Sequence, residues 1–401
     1  MTLTAADILA AQAVLAGVVR DIPVAGARWL SDRVGGPVVL VPENLQRAGS
    51  FKIRGAYVRM SRLSEAERQR GVVAASAGNH AQGVALAAQL LGIKATVFMP
   101  EGATIPKVQA TRAYGAEIDF AGTTIDEALE AAVAFAERTG AVLIHPFDHP
   151  DVVAGQGTLG LEILHKVPDV RTVVVCTGGG GLLAGVALAI KATAPQVRVV
   201  GVQAGQAAAY PPSLQAGHPV RLERMSTMAD GIAVGQPGQV PFALVAELVD
   251  QICTVSEEEI ARAVLLLAER AKMVVEPAGA AAAAAVLASP ADFEPPVAVV
   301  LSGGNVDPIV LMRIIRYGMA AAGRYLTIVA RVPDRPGSLA RLLTDIKALD
   351  ANVLQVEHDR LDPGLAVDEV DIVVQMETRG IEHCGQVLDA LSSRYRLQGR
   401  P

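Results

Sequence analysis

Between about Val38 and Leu301, short β-branched runs alternate with longer alanine-rich stretches whose apolar positions recur at helical spacing. That alternation predicts repeated strand-helix units around a mostly parallel sheet. Four runs read as central strands, apolar enough to be covered on both faces: Val72–Ala75, Ala95–Met99, Thr172–Val175 and Val297–Leu301. Each ends in glycine, proline or small polar residues. In an open α/β sheet, the loops at the carboxyl ends of the strands hold the ligand. At the N-terminus, Thr4 and Asp7 have capping-box spacing, which predicts a helix start rather than a secretory leader.

The pattern changes after Gly323. It predicts a strand over Leu326 to Val332, a turn at Pro333 to Gly337, and a helix with Leu339, Leu342, Leu343, Ile346 and Leu349 on one face. A strand at Asn352 to Asp359, a turn at Asp362-Pro363-Gly364, a strand near Val370 to Met376 and a helix from Ile381 to Ser392 follow, with a short last strand at Tyr395 to Leu397. That order is ferredoxin-like. The expected organisation is a first domain over 1–322, with a small subdomain at roughly 43–145, and a second domain over 326–401.

Composition narrows the class. A chain of 401 residues that is 51% hydrophobic builds more than one core, and only 3% aromatics suits helices packed closely on a sheet. A net charge of −6, with no basic run, argues against a nucleic-acid surface. The longest apolar stretch, Ala278 to Ala288, is too short for a bilayer, which needs about 20 residues. Cys176, Cys253 and Cys384 are scattered without ligand spacing, so free thiols and a cytoplasmic location are expected, without a membrane or structural zinc.

The candidate chemistry begins with Lys52 in Ser50-Phe51-Lys52-Ile53-Arg54-Gly55-Ala56. A lysine at a helix start usually keeps its ammonium in water. In apolar surroundings its pKa falls, and the free amine becomes a nucleophile toward a carbonyl. Four loops bear on what it would meet. Gly178, Gly179, Gly180 and Gly181, followed by Leu182, come off a strand and open a helix, offering backbone N–H groups to a phosphate. A dinucleotide reading fits less well, because Leu183 stands where the third glycine of GxGxxG belongs and the next strand ends at Gln203 instead of an acid. Ser76, Ala77, Gly78, Asn79 and His80 place amides for a carboxylate at a helix N-terminus and an Asn79 side chain for a phenolic oxygen. His80 lacks an acidic orienter and is expected to be a packed residue. Ser302-Gly303-Gly304-Asn305 could turn a hydroxyl toward a ring nitrogen, while Glu276 is expected to be an exposed carboxylate at a helix start.

Taken in order, these motifs resemble the serine/threonine dehydratases among the fold-type II pyridoxal 5'-phosphate (PLP) enzymes. Glu43 to Ala56 looks like the family's lysine segment, implying that Lys52 carries PLP with Phe51 packed beside it. The resemblance implies further that Ser76 to His80 receive the substrate carboxylate, that Asn79 contacts the cofactor's 3-hydroxyl, that Gly178 to Leu182 cradle the phosphate, and that Ser302 faces the pyridine nitrogen. It spans about residues 5 to 320. The remainder is similar to ACT domains, with Asp334 to Leu339 matching the turn after their first strand, which implies an amino-acid effector and a homodimer or homotetramer.

The expected activity is elimination of water from threonine, giving 2-oxobutyrate and ammonia, with serine as a second substrate. Ala77 stands where racemases of the group carry a serine, which disfavours racemisation, and Gln203 replaces an acid linked to a divalent-metal site in some relatives. Serine dehydration, threonine synthesis and β-replacement share the same chassis. An amino-acid sensor with a decayed catalytic domain and a nicotinamide dehydrogenase are the alternatives from other classes.

Overall fold

The computed structural model describes residues 3–360 and 364–398. The chain divides into two compact units, Met1–Leu311 and Met312–Pro401. In chain order the first unit carries β1 (Ala25–Gly26), β2 (Val38–Pro42), β3 (Val72–Ala75), β4 (Ala95–Met99), β5 (Glu117–Phe120), β6 (Val142–Leu143), β7 (Thr172–Cys176), β8 (Arg198–Ala204), β9 (Gln251–Val255) and β10 (Val297–Leu301). They form two sheets. The larger has the order β1-β2-β10-β7-β8-β9 and is parallel except for β1. The smaller, β5-β4-β3-β6, is parallel throughout.

The four runs read as central strands are strands, and β7 continues one residue further, to Cys176. Every residue of β3, β4, β7 and β10 is buried, as both faces of a parallel sheet demand. Separate cores serve the two sheets, one around Val173, Val175 and Val300, the other around Val72, Ala74 and Val97. The alanine helix Pro277–Ala288 lies against β7 and β10 and is buried from Pro277 to Leu287. Small side chains let it approach closely: a Cβ on Gly279 would stand 2.4 Å from the Gly303 carbonyl oxygen.

A buried ion cluster ties the lysine segment into this framework. Arg54, fully buried in the helix Lys52–Ser61, donates to both carboxylate oxygens of Glu43 at 2.8 Å. It also reaches Glu162, on the helix Pro150–Lys166, at 2.5 and 3.0 Å. The Thr4–Asp7 pair caps the first helix as the spacing predicts, with the Asp7 carboxylate accepting from the Thr4 backbone N–H at 2.9 Å.

The second unit is built on β11 (Tyr325–Pro333), β12 (Asn352–Asp359), β13 (Glu369–Glu377) and β14 (Arg396–Gln398), an antiparallel sheet of order β12-β13-β11-β14. With the helices Ser338–Ala348 and Ile381–Ser392 it is a ferredoxin-like βαββαβ fold. On the helix Ser338–Ala348, Leu342 and Ile346 are buried while Leu339 and Leu343 are partly buried, as the apolar spacing requires. Asp362 and Pro363 of the expected turn lie outside the described residues. The last strand begins at Arg396, one residue later than expected. Among the described residues no helix is long and apolar enough to cross a membrane, and no cluster of three or more His, Cys, Asp or Glu is placed to hold a metal ion.

Candidate active site

A cavity of about 610 Å³ in the first unit is lined from all the loops singled out in the sequence. Backbone pairing sets its floor. Ser50 bridges Gly303, Phe51 N–H donates to the Ser302 carbonyl at 3.1 Å, and Gly304 N–H donates to the Gly49 carbonyl at 2.9 Å. The segment before Lys52 is therefore stitched to the loop after β10, and the helix starting at Lys52 opens into the cavity.

The Lys52 amine donates to the Pro146 carbonyl at 3.0 Å and stands 5.1 Å from the centre of the Phe51 ring. Burial lowers its pKa to about 8, a shift only partly opposed by Cys176 and Glu276. The solvated lysine that a helix start ordinarily implies is not what the fold builds. His80 is also buried, and burial, reinforced by the Lys52 charge, drops it to about 3. It is a neutral imidazole whose Nε2–H donates to the Ile144 carbonyl at 2.7 Å, a packed residue as expected.

The glycine loop leads from β7 into the helix Gly181–Thr193. Gly180 has φ of 97°, a left-handed conformation natural to glycine, and a Cβ there would fall 1.8 Å from the Tyr210 hydroxyl oxygen. A Cβ on Gly179 would stand 2.4 Å from the Phe147 ring. Both positions require glycine, leaving bare backbone at a helix N-terminus. Gln203 braces the loop from behind, its amide donating to the Thr177 carbonyl at 3.3 Å and accepting from Tyr210 N–H at 2.9 Å. That explains an amide inside β8, where an acid would lack the donor.

Opposite, Ser76 to Gly78 link β3 to the helix Asn79–Leu91, and Gly78 N–H donates to Ser76 Oγ at 3.1 Å. Asn79 Oδ1 accepts from Asn305 Nδ2 at 2.8 Å, and Asn79 Nδ2 donates to Glu276 Oε1 at 2.5 Å. Here the structure corrects the sequence reading. Glu276 is 3% exposed instead of solvated, because the buried alanine helix that it precedes draws it into the cavity wall. Burial and the Asp230 charge raise its pKa to about 7. Ser302 Oγ and the Cys176 sulfur lie 3.1 Å apart, within hydrogen-bond distance, and both residues line the cavity.

A half-buried lysine of lowered amine pKa, a glycine cradle and a carboxamide held beside an acid converge on one cavity. A phosphorylated aldehyde ring fits this donor set: backbone N–H groups for its phosphate, an amine for its carbonyl, and polar side chains for its ring substituents. The profile of pyridoxal-phosphate dependent enzymes matches residues 15–303. The chain belongs to that family. An L-threonine ammonia-lyase of Thermotoga maritima is 48% identical over 400 residues, covering 99% of this chain and 100% of that one. The crystal structure of a T.th. threonine deaminase superposes with a TM-score of 0.72 at 44% identity, covering 76% of this chain and 99% of that one. A maize serine racemase structure has a TM-score of 0.74 at 35% identity, covering 78% of this chain and 97% of that one.

The site of this PLP-dependent enzyme is also built from residues that its sequence did not single out. Pro146 and Phe147 follow the two-residue β6, too short to stand out as a strand, and Tyr210 comes from a short helix in an irregular stretch. Asn305 stood at the end of the SGGN motif without a task. Its partner Asn79 lies 226 positions away, which no local pattern reports.

Proposed function

We propose that the enzyme deaminates L-threonine to 2-oxobutyrate and ammonia by eliminating water, and accepts L-serine as a second substrate. The observation that carries this reading is the meeting of the Lys52 amine, the glycine loop and Ser302 in one cavity, in a chain similar along its whole length to a threonine ammonia-lyase. When bound, PLP supplies an electron sink for the charge left at the substrate Cα. Lys52 Nζ would hold the cofactor and would be the base for the Cα proton; a pKa of about 8 suits a base near physiological pH. Backbone N–H groups of Gly178 to Leu182 bind the phosphate, Phe51 packs near the ring, and Asn79 holds the ring's phenolic oxygen. The amides from Ser76 to His80 receive the substrate carboxylate at a helix N-terminus.

Ser302 offers a hydroxyl to the ring nitrogen. A hydroxyl there would not hold that nitrogen protonated as a carboxylate would, and this would favour elimination over amino transfer. The Ala77 side chain has no hydroxyl or other group that can transfer a proton, so racemisation, which needs a proton returned to the opposite face, has no donor there. The second unit is proposed as an ACT regulatory module that binds an amino-acid effector and pairs in a homodimer or homotetramer; its ferredoxin-like fold supports this.

A substrate panel tests the reading. Threonine should yield 2-oxobutyrate, serine pyruvate at a lower rate, and Lys52→Ala neither product nor the visible absorbance of lysine-bound cofactor. A colourless wild-type protein after reconstitution, or phosphate release from phosphohomoserine in place of threonine turnover, would overturn it. Isoleucine or valine should change the rate in the full chain but not after deletion beyond Gly323.

A further inference from the structure

Cys176 ends β7 and Ser302 follows β10, its neighbour in the larger sheet, so the two side chains meet at the carboxyl edge where the cavity opens. Both are buried, at 4% and 3% exposure, and the sulfur lies 3.1 Å from Ser302 Oγ. Among the described residues this thiol is the one hydrogen-bond partner of that hydroxyl oxygen. A hydroxyl has one proton and two lone pairs, whereas sulfur is a weak donor and a weak acceptor. Burial pushes the Cys176 thiol up to about 11, so at neutral pH it keeps its proton.

We propose that Cys176 is a positioning residue for Ser302: its S–H donates to Oγ, which leaves the Ser302 proton pointing into the cavity to be donated to the cofactor's ring nitrogen. The inference rests on the reading of Ser302 given above and deepens it. A hydroxyl that donates requires an unprotonated nitrogen as acceptor. A hydroxyl free to rotate can equally present a lone pair to a protonated one. The thiol thus biases the choice between the two ring states, and with it the choice between eliminating and transferring the amino group. The alternative polarity, Ser302 donating to sulfur, would spend the hydroxyl proton on a poor acceptor and leave the ring nitrogen without a donor.

The test compares Cys176→Ala and Cys176→Val, which cannot donate, with Cys176→Ser, which can. The first readout needs no turnover: the visible spectrum of each reconstituted protein, without substrate, between about pH 6 and pH 9. The second is the fraction of turnovers that leave the cofactor in its amine form. The serine variant should match wild type in both. The alanine and valine variants should show a pH-dependent spectrum and a roughly two- to five-fold larger amine-form fraction, the scale of one modest hydrogen bond. The valine variant, which fills the site, carries the comparison if the alanine variant does not fold. Non-donating variants identical to wild type, or a serine variant that behaves like them, would overturn the proposal. A wild-type protein that binds cofactor but does not deaminate threonine would sink the proposed function while leaving the spectral comparison decisive here.

Discussion

Asn305 Nδ2 donates to Asn79 Oδ1 at 2.8 Å, and this contact decides which way the Asn79 amide faces. With its oxygen held from behind, Asn79 turns its NH2 group toward Glu276 and the cavity. Asn305 is itself held by the carbonyl of Ala48, at 2.7 Å, a residue whose φ of 59° is unusual for a side chain-bearing residue. Replacing Asn305 by Asp sets a carboxylate oxygen against the Asn79 oxygen and favours the flipped amide. We expect Asn305→Asp to weaken PLP binding by roughly ten-fold, the scale of a reversed hydrogen bond, and Asn305→Ala to weaken it less. Absorbance titration of the apo protein measures both; equal affinities for wild type and Asn305→Asp would reject the orienting contact.

The lowered pKa of Lys52 makes a kinetic prediction. Below about pH 8 the amine is mostly protonated and cannot attack a carbonyl, so capture of PLP by the apo protein should slow by about ten-fold per pH unit and level off above pH 8. Stopped-flow mixing across pH 6 to 10 would show the midpoint. A rate still climbing toward pH 10 would mean that the amine is solvated in spite of its surroundings.

Much of this was legible in the chain because it depends on local pattern. Strands such as Ala95–Met99 and Val297–Leu301 announce themselves by apolar composition, and Gly178 to Gly181 by the backbone exposure that four glycines allow between strand and helix. What escaped depends on tertiary contact. Glu276 read as an ordinary acid before a helix because local sequence cannot say which side of that helix is buried. Cys176 read as a spare thiol because its partner is 126 positions away, at the end of the neighbouring strand.

Burying Glu276 has a cost that depends on pH. Its folded-state pKa of about 7 lies above the usual 4.5, so the folded protein holds this proton where the unfolded chain releases it. The corresponding stability is present below pH 4.5 and is lost as pH rises to about 7, a change on the order of 3 kcal/mol at most. Glu276→Gln keeps an oxygen for Asn79 and removes the titration. It should match wild type in unfolding midpoint near pH 5 and exceed it at pH 8. A difference independent of pH would show that the carboxyl is solvated in the folded state.

The Arg54 cluster predicts that stability depends on the lysine segment more than its position at a cavity edge suggests. Arg54 has no exposure and Glu43 has 3%, so removing Arg54 leaves Glu43 as a buried charge without its ion-pair partner, while removing Glu43 leaves Arg54 with Glu162 alone. Loss of one member of such a pair typically costs about 3–5 kcal/mol. Arg54→Ala should therefore fall well below wild type in chemical denaturation. Arg54→Lys, which keeps the charge but loses the paired contacts with Glu43 and Glu162, should lie between the two. A combined Arg54→Met, Glu43→Leu variant removes both charges of the pair and should recover part of the loss, since the penalty comes from an unpaired buried charge. If the double variant is as unstable as the sum of the single ones, the cluster contributes through packing alone.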